Sequence, residues 1–92
     1  SFIGDARPEM KYIKNGVFGF SYSVDGHHIL MAWSKNGTDI HTDADISAVY
    51  DINGNSLPVC GEYRLTESPL YIRSDKEITE NKLTEMLEGR LK

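Results

Sequence analysis

Val49-Tyr50-Asp51-Ile52-Asn53-Gly54-Asn55 is the stretch on which the fold turns. A strand-like run ends there in Asn53-Gly54, a pair that tolerates the positive φ of a tight hairpin turn. Just upstream, Ile46, Ala48, Tyr50 and Ile52 alternate with Ser47, Val49 and Asp51. A period of two marks a strand with one face buried. Downstream, the run from Ser56 to Leu65 reads as the return strand. Pro58 has no N–H for a ladder and belongs at a strand start or edge. Glu67-Ser68-Pro69 is a turn, and Leu70-Tyr71-Ile72-Arg73 is the last strand.

The same grammar extends towards the N-terminus. Phe18, Phe20, Tyr22 and Val24 alternate with Gly19, Ser21 and Ser23, which predicts a strand with its aromatic residues turned inward. Asp25-Gly26 carries a strong hairpin signal. The return strand, His27 to Trp33, is apolar on both faces from Ile29 onward. Such a strand lies inside a sheet, or meets both the core and a neighbouring domain. Tyr12-Ile13 predicts a short strand before the turn pair Asn15-Gly16. Residues 34–38 and the acidic stretch 39–45 read as loop. Residues 1–11, with Gly4, Pro8 and mixed charge, read as a linker or irregular entry segment.

The pattern changes at Ser74. Ser74-Asp75-Lys76-Glu77 has the form of a capping box, and Thr79 offers a second N-cap. Leu83, Met86, Leu87 and Leu91 then recur at helical spacing. Gly89 is expected to weaken the last turn. This narrow stripe would pack on the sheet or dock on a neighbour. The expected architecture is all-β: a small antiparallel β-sandwich, immunoglobulin-like, over residues 12–73, with a short C-terminal helix within residues 74–92. Its core is expected to close over Phe18, Phe20, Trp33 and Tyr50. No helix of 10–15 residues separates the strands, which argues against a parallel βαβ sheet.

Ninety-two residues fit one domain with one core. The chain is 39% apolar with a formal net charge of −4, outside the low-hydrophobicity, high-charge regime of disorder. No basic stripe is visible, which argues against nucleic acid as a partner. No apolar run approaches the roughly 18 residues of a membrane span, so no membrane partner is expected. The chain opens Ser1-Phe2-Ile3 without an initiator Met and no signal peptide is evident; it is expected to be a piece of a longer polypeptide. Its single cysteine, Cys60, excludes an internal disulfide and reads as a small buried hydrophobe.

Each constellation that could carry chemistry has a plainer reading. Asp51, Asn53 and Asn55, with Glu62 eleven positions on, have the oxygen spacing of a calcium loop. Ser56 stands where the turn glycine should be, and the flanks read as strands, so a plain hairpin is expected. Asp39, Asp43 and Asp45 read as solvated loop carboxylates rather than metal ligands. His27 and His28 point to opposite faces of a strand and His41 is isolated, which leaves no zinc set. No nucleophile elbow, phosphate loop or dinucleotide fingerprint occurs. No catalytic, cofactor-binding or metal-binding residue is therefore assigned, and no cofactor is implied. Trp33, Tyr12, Tyr63 and Tyr71 are the candidates for stacking on sugar rings, though Trp33 reads more simply as core. Asn36-Gly37-Thr38 is an N-glycosylation triplet, relevant in a eukaryotic secretory setting.

Three landmarks recur in order: Leu30-Met31-Ala32-Trp33-Ser34, then Val49-Tyr50-Asp51-Ile52-Asn53-Gly54, then Pro69-Leu70-Tyr71-Ile72. Over residues 17–73 this resembles the C-terminal accessory β-sandwich domain of clan-A glycoside hydrolases. The resemblance implies a non-catalytic domain of a carbohydrate-active enzyme, packed on a catalytic (β/α)8 barrel of the same polypeptide. The barrel carries the catalytic glutamates in that family, so the resemblance brings only framework residues here: Trp33, Asp51, Gly54 and Tyr71. It also implies an extracellular or periplasmic home. The helical tail departs from the family pattern, which leaves an independent carbohydrate- or protein-binding immunoglobulin-like module as the alternative.

Overall fold

The computed structural model describes residues 8–24, 26–58 and 61–89. Among them, eight strands precede one helix: β1 Met10–Lys14, β2 Val17–Val24, β3 His27–Ser34, β4 Thr38–His41, β5 Ile46–Tyr50, β6 Ser56–Leu57, β7 Glu62–Leu65, β8 Leu70–Ser74 and α1 Glu80–Glu88. All strand pairings are antiparallel. Six strands form one sheet in the order β1-β2-β3-β8-β5-β6, and β4 pairs with β7 in a second. The fold is an all-β, sandwich-like arrangement with one short C-terminal helix, as the periodicity predicts.

The turns fall where the dipeptides place them. Lys14 pairs with Val17, so Asn15 and Gly16 alone bridge β1 and β2. Their φ values are 52° and 80°, the left-handed pair that this hairpin needs. The β5–β6 loop closes by backbone hydrogen bonds from the Asp51 N–H to the Asn55 carbonyl and from the Gly54 N–H to the Asp51 carbonyl, with Gly54 at φ 83°.

β1 begins at Met10, two residues before the expected boundary at residue 12. The predicted return strand at 56–65 is split. β6 stops after Leu57 at Pro58, and β7 joins the other sheet. β4 lies in the stretch that reads as acidic loop, because Ile40 is its one inward apolar side chain.

The core is inverted with respect to the expectation for β2. Small residues line the inner face of this strand. At Gly19 an added β-carbon would lie 2.7 Å from Leu83 Cδ2 and 3.5 Å from Leu30 Cδ1. The core proper joins Tyr12, Leu30, Ala32, Val49 and Ile72 of the large sheet to Ile40, Leu65, Ile78, Leu83 and Met86 of the opposing layer. Phe18, Phe20 and Trp33 alternate with these inward residues and therefore face the other way, half-buried. Gly19 beneath Leu83 lets α1 come close to the sheet, and α1 with β4–β7 supplies the bulk that the aromatics are expected to supply.

Tyr50 is also turned outward, through a β-bulge. Ile46 pairs with Ser74 and Ala48 with Arg73, leaving Ser47 as the extra residue. A bulge reverses the inside–outside phase of the residues after it. Ile46 and Val49 are thus both buried, whereas strict alternation would have put Tyr50 in the core.

Thr79 is the N-cap of α1: its hydroxyl accepts the Lys82 N–H at 3.1 Å. Ser74 ends β8 instead of opening the helix, and its hydroxyl accepts the Lys76 N–H. Gly89 does not weaken a turn; it ends the helix in the left-handed conformation at φ 71°. Leu83 and Met86 are fully buried, so the stripe packs on the sheet. Leu91 lies outside the described residues.

Candidate functional site

Strand register defines the outer face of the six-stranded sheet, since directly paired residues share a face. Phe18 stands opposite Trp33, Phe20 opposite Met31, and Tyr22 opposite Ile29. Met31 continues to Tyr71, and Tyr71 to Tyr50. Six aromatic residues and Met31 thus cross four adjacent strands. Ile13, paired with Phe18 on the edge strand, is 61% exposed. The remaining large side chains are half-buried, apart from Tyr22 and Ile29, which are buried. Among the described residues, both α1 and β4–β7 lie on the opposite face.

The rings are organised as well as clustered. Trp33 stacks on Phe18 with centroids 5.1 Å apart and planes 10° apart, and on Phe20 at 5.5 Å and 27°. Each such pair contributes about 0.5–1.5 kcal/mol beyond its buried area. The indole is thus already engaged by two phenyl rings. Lys35 Nζ sits 5.6 Å from the centre of the Phe18 ring, within cation–π range.

The four aromatics singled out for sugar stacking do not assemble. Trp33 and Tyr71 share the outer face. Tyr12 is buried in the core on the other side, and Tyr63 lies on β7, its hydroxyl donating to the Pro58 carbonyl. Phe18, Phe20, Tyr50 and Met31 complete the face, whereas the expected phase puts the three aromatics in the core. One signal did point to them: Ile29 to Trp33 is apolar on both faces, so one face had to meet something other than the core.

The remaining candidates are held in local interactions. The Asp51 carboxylate accepts the Asn53 and Asn55 N–H groups at 2.9 Å each, and Asn55 Nδ2 at 3.3 Å. The backbone N–H of Asn55 is foremost in holding its carboxyl below the usual range. Glu62 does not join it; it lies on β7 with a carboxylate oxygen 3.3 Å from His41 Nδ1. Asp39 pairs with Arg64 at 3.1 Å. Asp43 and Asp45 share Lys82 of α1, with Asp43 in direct contact and Asp45 at 3.6 Å. Partial burial raises the Asp43 carboxyl, but the hydrogen bonds from Lys82 and the Asp45 N–H outweigh it, and the net shift is downward. His27 lies beside Arg73, and His28 Nδ1 is 3.3 Å from Ser23 Oγ. Among the described residues, no three of His, Cys, Asp and Glu converge where a metal ion could be held. Cys60 and Asp25 lie outside the described residues.

A cleft of about 200 Å³ lies between α1 and the β1–β2 hairpin, with Tyr12, Val17 and Leu87 against Lys14, Thr38 and Thr84. It is smaller than the roughly 300–1,000 Å³ of ordinary ligand pockets. No helix among the described residues is long and apolar enough to cross a membrane. Comparison with protein-family models, curated proteins and solved structures finds no match to this chain.

Proposed function

We propose that this chain is a non-catalytic accessory β-domain of a carbohydrate-active enzyme, and that it packs through the outer face of its six-stranded sheet on a catalytic (β/α)8 barrel of the same polypeptide. The observation that carries the reading is that face: Phe18, Phe20, Met31, Trp33, Tyr50 and Tyr71 across four strands, opposite the side on which the core closes. Contiguous apolar surface of this kind marks interaction sites. The order of the Trp33, Asp51–Gly54 and Pro69–Ile72 landmarks supports the choice of partner. On this reading the domain contributes rigidity at the edge of a cleft that it does not itself form. As the resemblance implies, it works outside the cytoplasm.

The test is the parent polypeptide. Its sequence should encode a barrel beside this domain. Phe20→Ser with Trp33→Ser should then split one cooperative thermal transition into two. A parent without a barrel, or one whose transition is indifferent to both substitutions, refutes the proposal.

The same face gives a second reading, an independent module that binds carbohydrate directly. Engagement of the Trp33 indole by two phenyl rings counts against it, because sugar stacking requires a free ring face. Retention on insoluble polysaccharide, lost on Trp33→Ala, would favour this reading over docking.

A further inference from the structure

The outer face is apolar at its centre and carries one sign of charge. Its charged strand positions are Lys11, paired with Phe20, and Arg73, paired with Ile29 and Ala48. Lys35 reaches it over the Phe18 ring. No Asp or Glu occupies an outer-face strand position among the described residues. This is notable in a chain with 14 acidic and 10 basic residues. The acids gather in the opposite layer, where Asp39, Asp43, Glu62 and Glu80 each have a cation or histidine beside them.

We infer that the surface docked on this face is a folded protein surface, apolar at its centre and rimmed by carboxylates that meet Lys11, Lys35 and Arg73. Three considerations select this occupant. A single-stranded nucleic acid or an acidic glycan would need free ring faces, and the Trp33 indole is already stacked on Phe18 and Phe20 while Lys35 lies over Phe18. A second copy of the chain, placed face to face by a two-fold axis, would offer the three cations only a face with no Asp or Glu at its described strand positions. A protein surface needs no free ring face: it packs on the stacked rings as they stand and on Ile13 and Met31, and its rim carboxylates supply the missing sign. Such a rim sets orientation and encounter rate more than tightness, so the pairing is sensitive to salt.

The inference rests on the docking reading above, and one experiment separates the two. In the parent polypeptide, carbodiimide should couple Lys11 or Lys35 to carboxylates of the neighbouring domain, with yields falling at least several-fold between 0.05 and 0.5 M salt, about a threefold drop in Debye length. Lys11→Glu with Lys35→Glu should separate the domains, seen as a larger hydrodynamic radius, while Lys76→Glu, in the opposite layer, should not. If Trp33→Ser separates the domains and the double charge reversal does not, docking stands and the carboxylate rim is refuted. If no substitution on the face separates them, both are refuted.

Discussion

Leu83 of α1 sits directly over Gly19 of β2, so that a β-carbon on Gly19 would lie 2.7 Å from Leu83 Cδ2. Leu83 is fully buried and has little room to move. Gly19→Ala should therefore destabilise the fold by about 1–3 kcal/mol through overpacking. Leu83→Ala should cost about 2–5 kcal/mol through the cavity it leaves. The double variant should lose less than the sum, since the new methyl group fills part of the cavity. Urea unfolding of the four proteins checks this; strict additivity would mean that the helix does not rest on the sheet at Gly19.

Lys82, with Asp43 and Asp45, fastens α1 to the β4–β5 loop. The Lys82 and Asp43 side chains are 19% and 16% exposed, shielded enough for the pair to matter. Lys82→Met should cost about 1–3 kcal/mol, because it leaves a half-buried carboxylate without its cation. The pH dependence has a definite sign. The folded-state pKa of Asp43 lies below its unfolded value, so its contribution is complete above the unfolded value, about 3.9, and is lost as pH falls through the folded one. Wild type should thus lose stability more steeply than Lys82→Met below about pH 4. Parallel curves would remove the pair from the account.

Trp33 is the chain's sole tryptophan, which makes the outer face directly observable. The half-buried indole should be quenched by acrylamide in the native state, several-fold more than a tryptophan sealed in a core. Emission at the wavelength of a fully buried indole, with negligible quenching, would contradict the outward orientation.

The Asp51 loop should be indifferent to calcium. Its carboxylate already accepts three hydrogen bonds from Asn53 and Asn55, and Glu62 lies on another strand pair. Millimolar calcium should leave the melting temperature unchanged within error. Asp51→Ala should lower it with or without the ion, because the loop loses its side-chain acceptor.

Much of the architecture was legible because turns are local. Asn15-Gly16 and Asn53-Gly54 announce themselves by the backbone angles they permit, and the strands between them alternate. The phase of the alternation was not legible. Gly19 looks like part of a solvent face until α1, some sixty residues later in the chain, is known to rest on it. The bulge at Ser47 reverses the phase of β5, and no single residue there betrays it. β4 was missed because Ile40 by itself makes no pattern. The candidate face was half visible, in a strand apolar on both sides, but its membership depended on the phase and went wrong with it.

The position of β8 has a consequence for how the molecule is made. This strand comes last in the sequence yet lies between β3 and β5, touching both. A ribosome releasing the chain vectorially delivers β1 to β3 as a self-contained meander, while the β5–β6 pair waits for the strand that joins it to β3. The sheet becomes continuous when residues 70–74 emerge and thread between two pieces already present. Pairings of long sequence separation meet their loop-closure entropy before any contact offsets it, and so form later than local hairpins. Insertion of that one strand is thus expected to be slower than closure of the hairpins, and a nascent chain stalled before residue 70 would leave the facing edges of β3 and β5 unpaired.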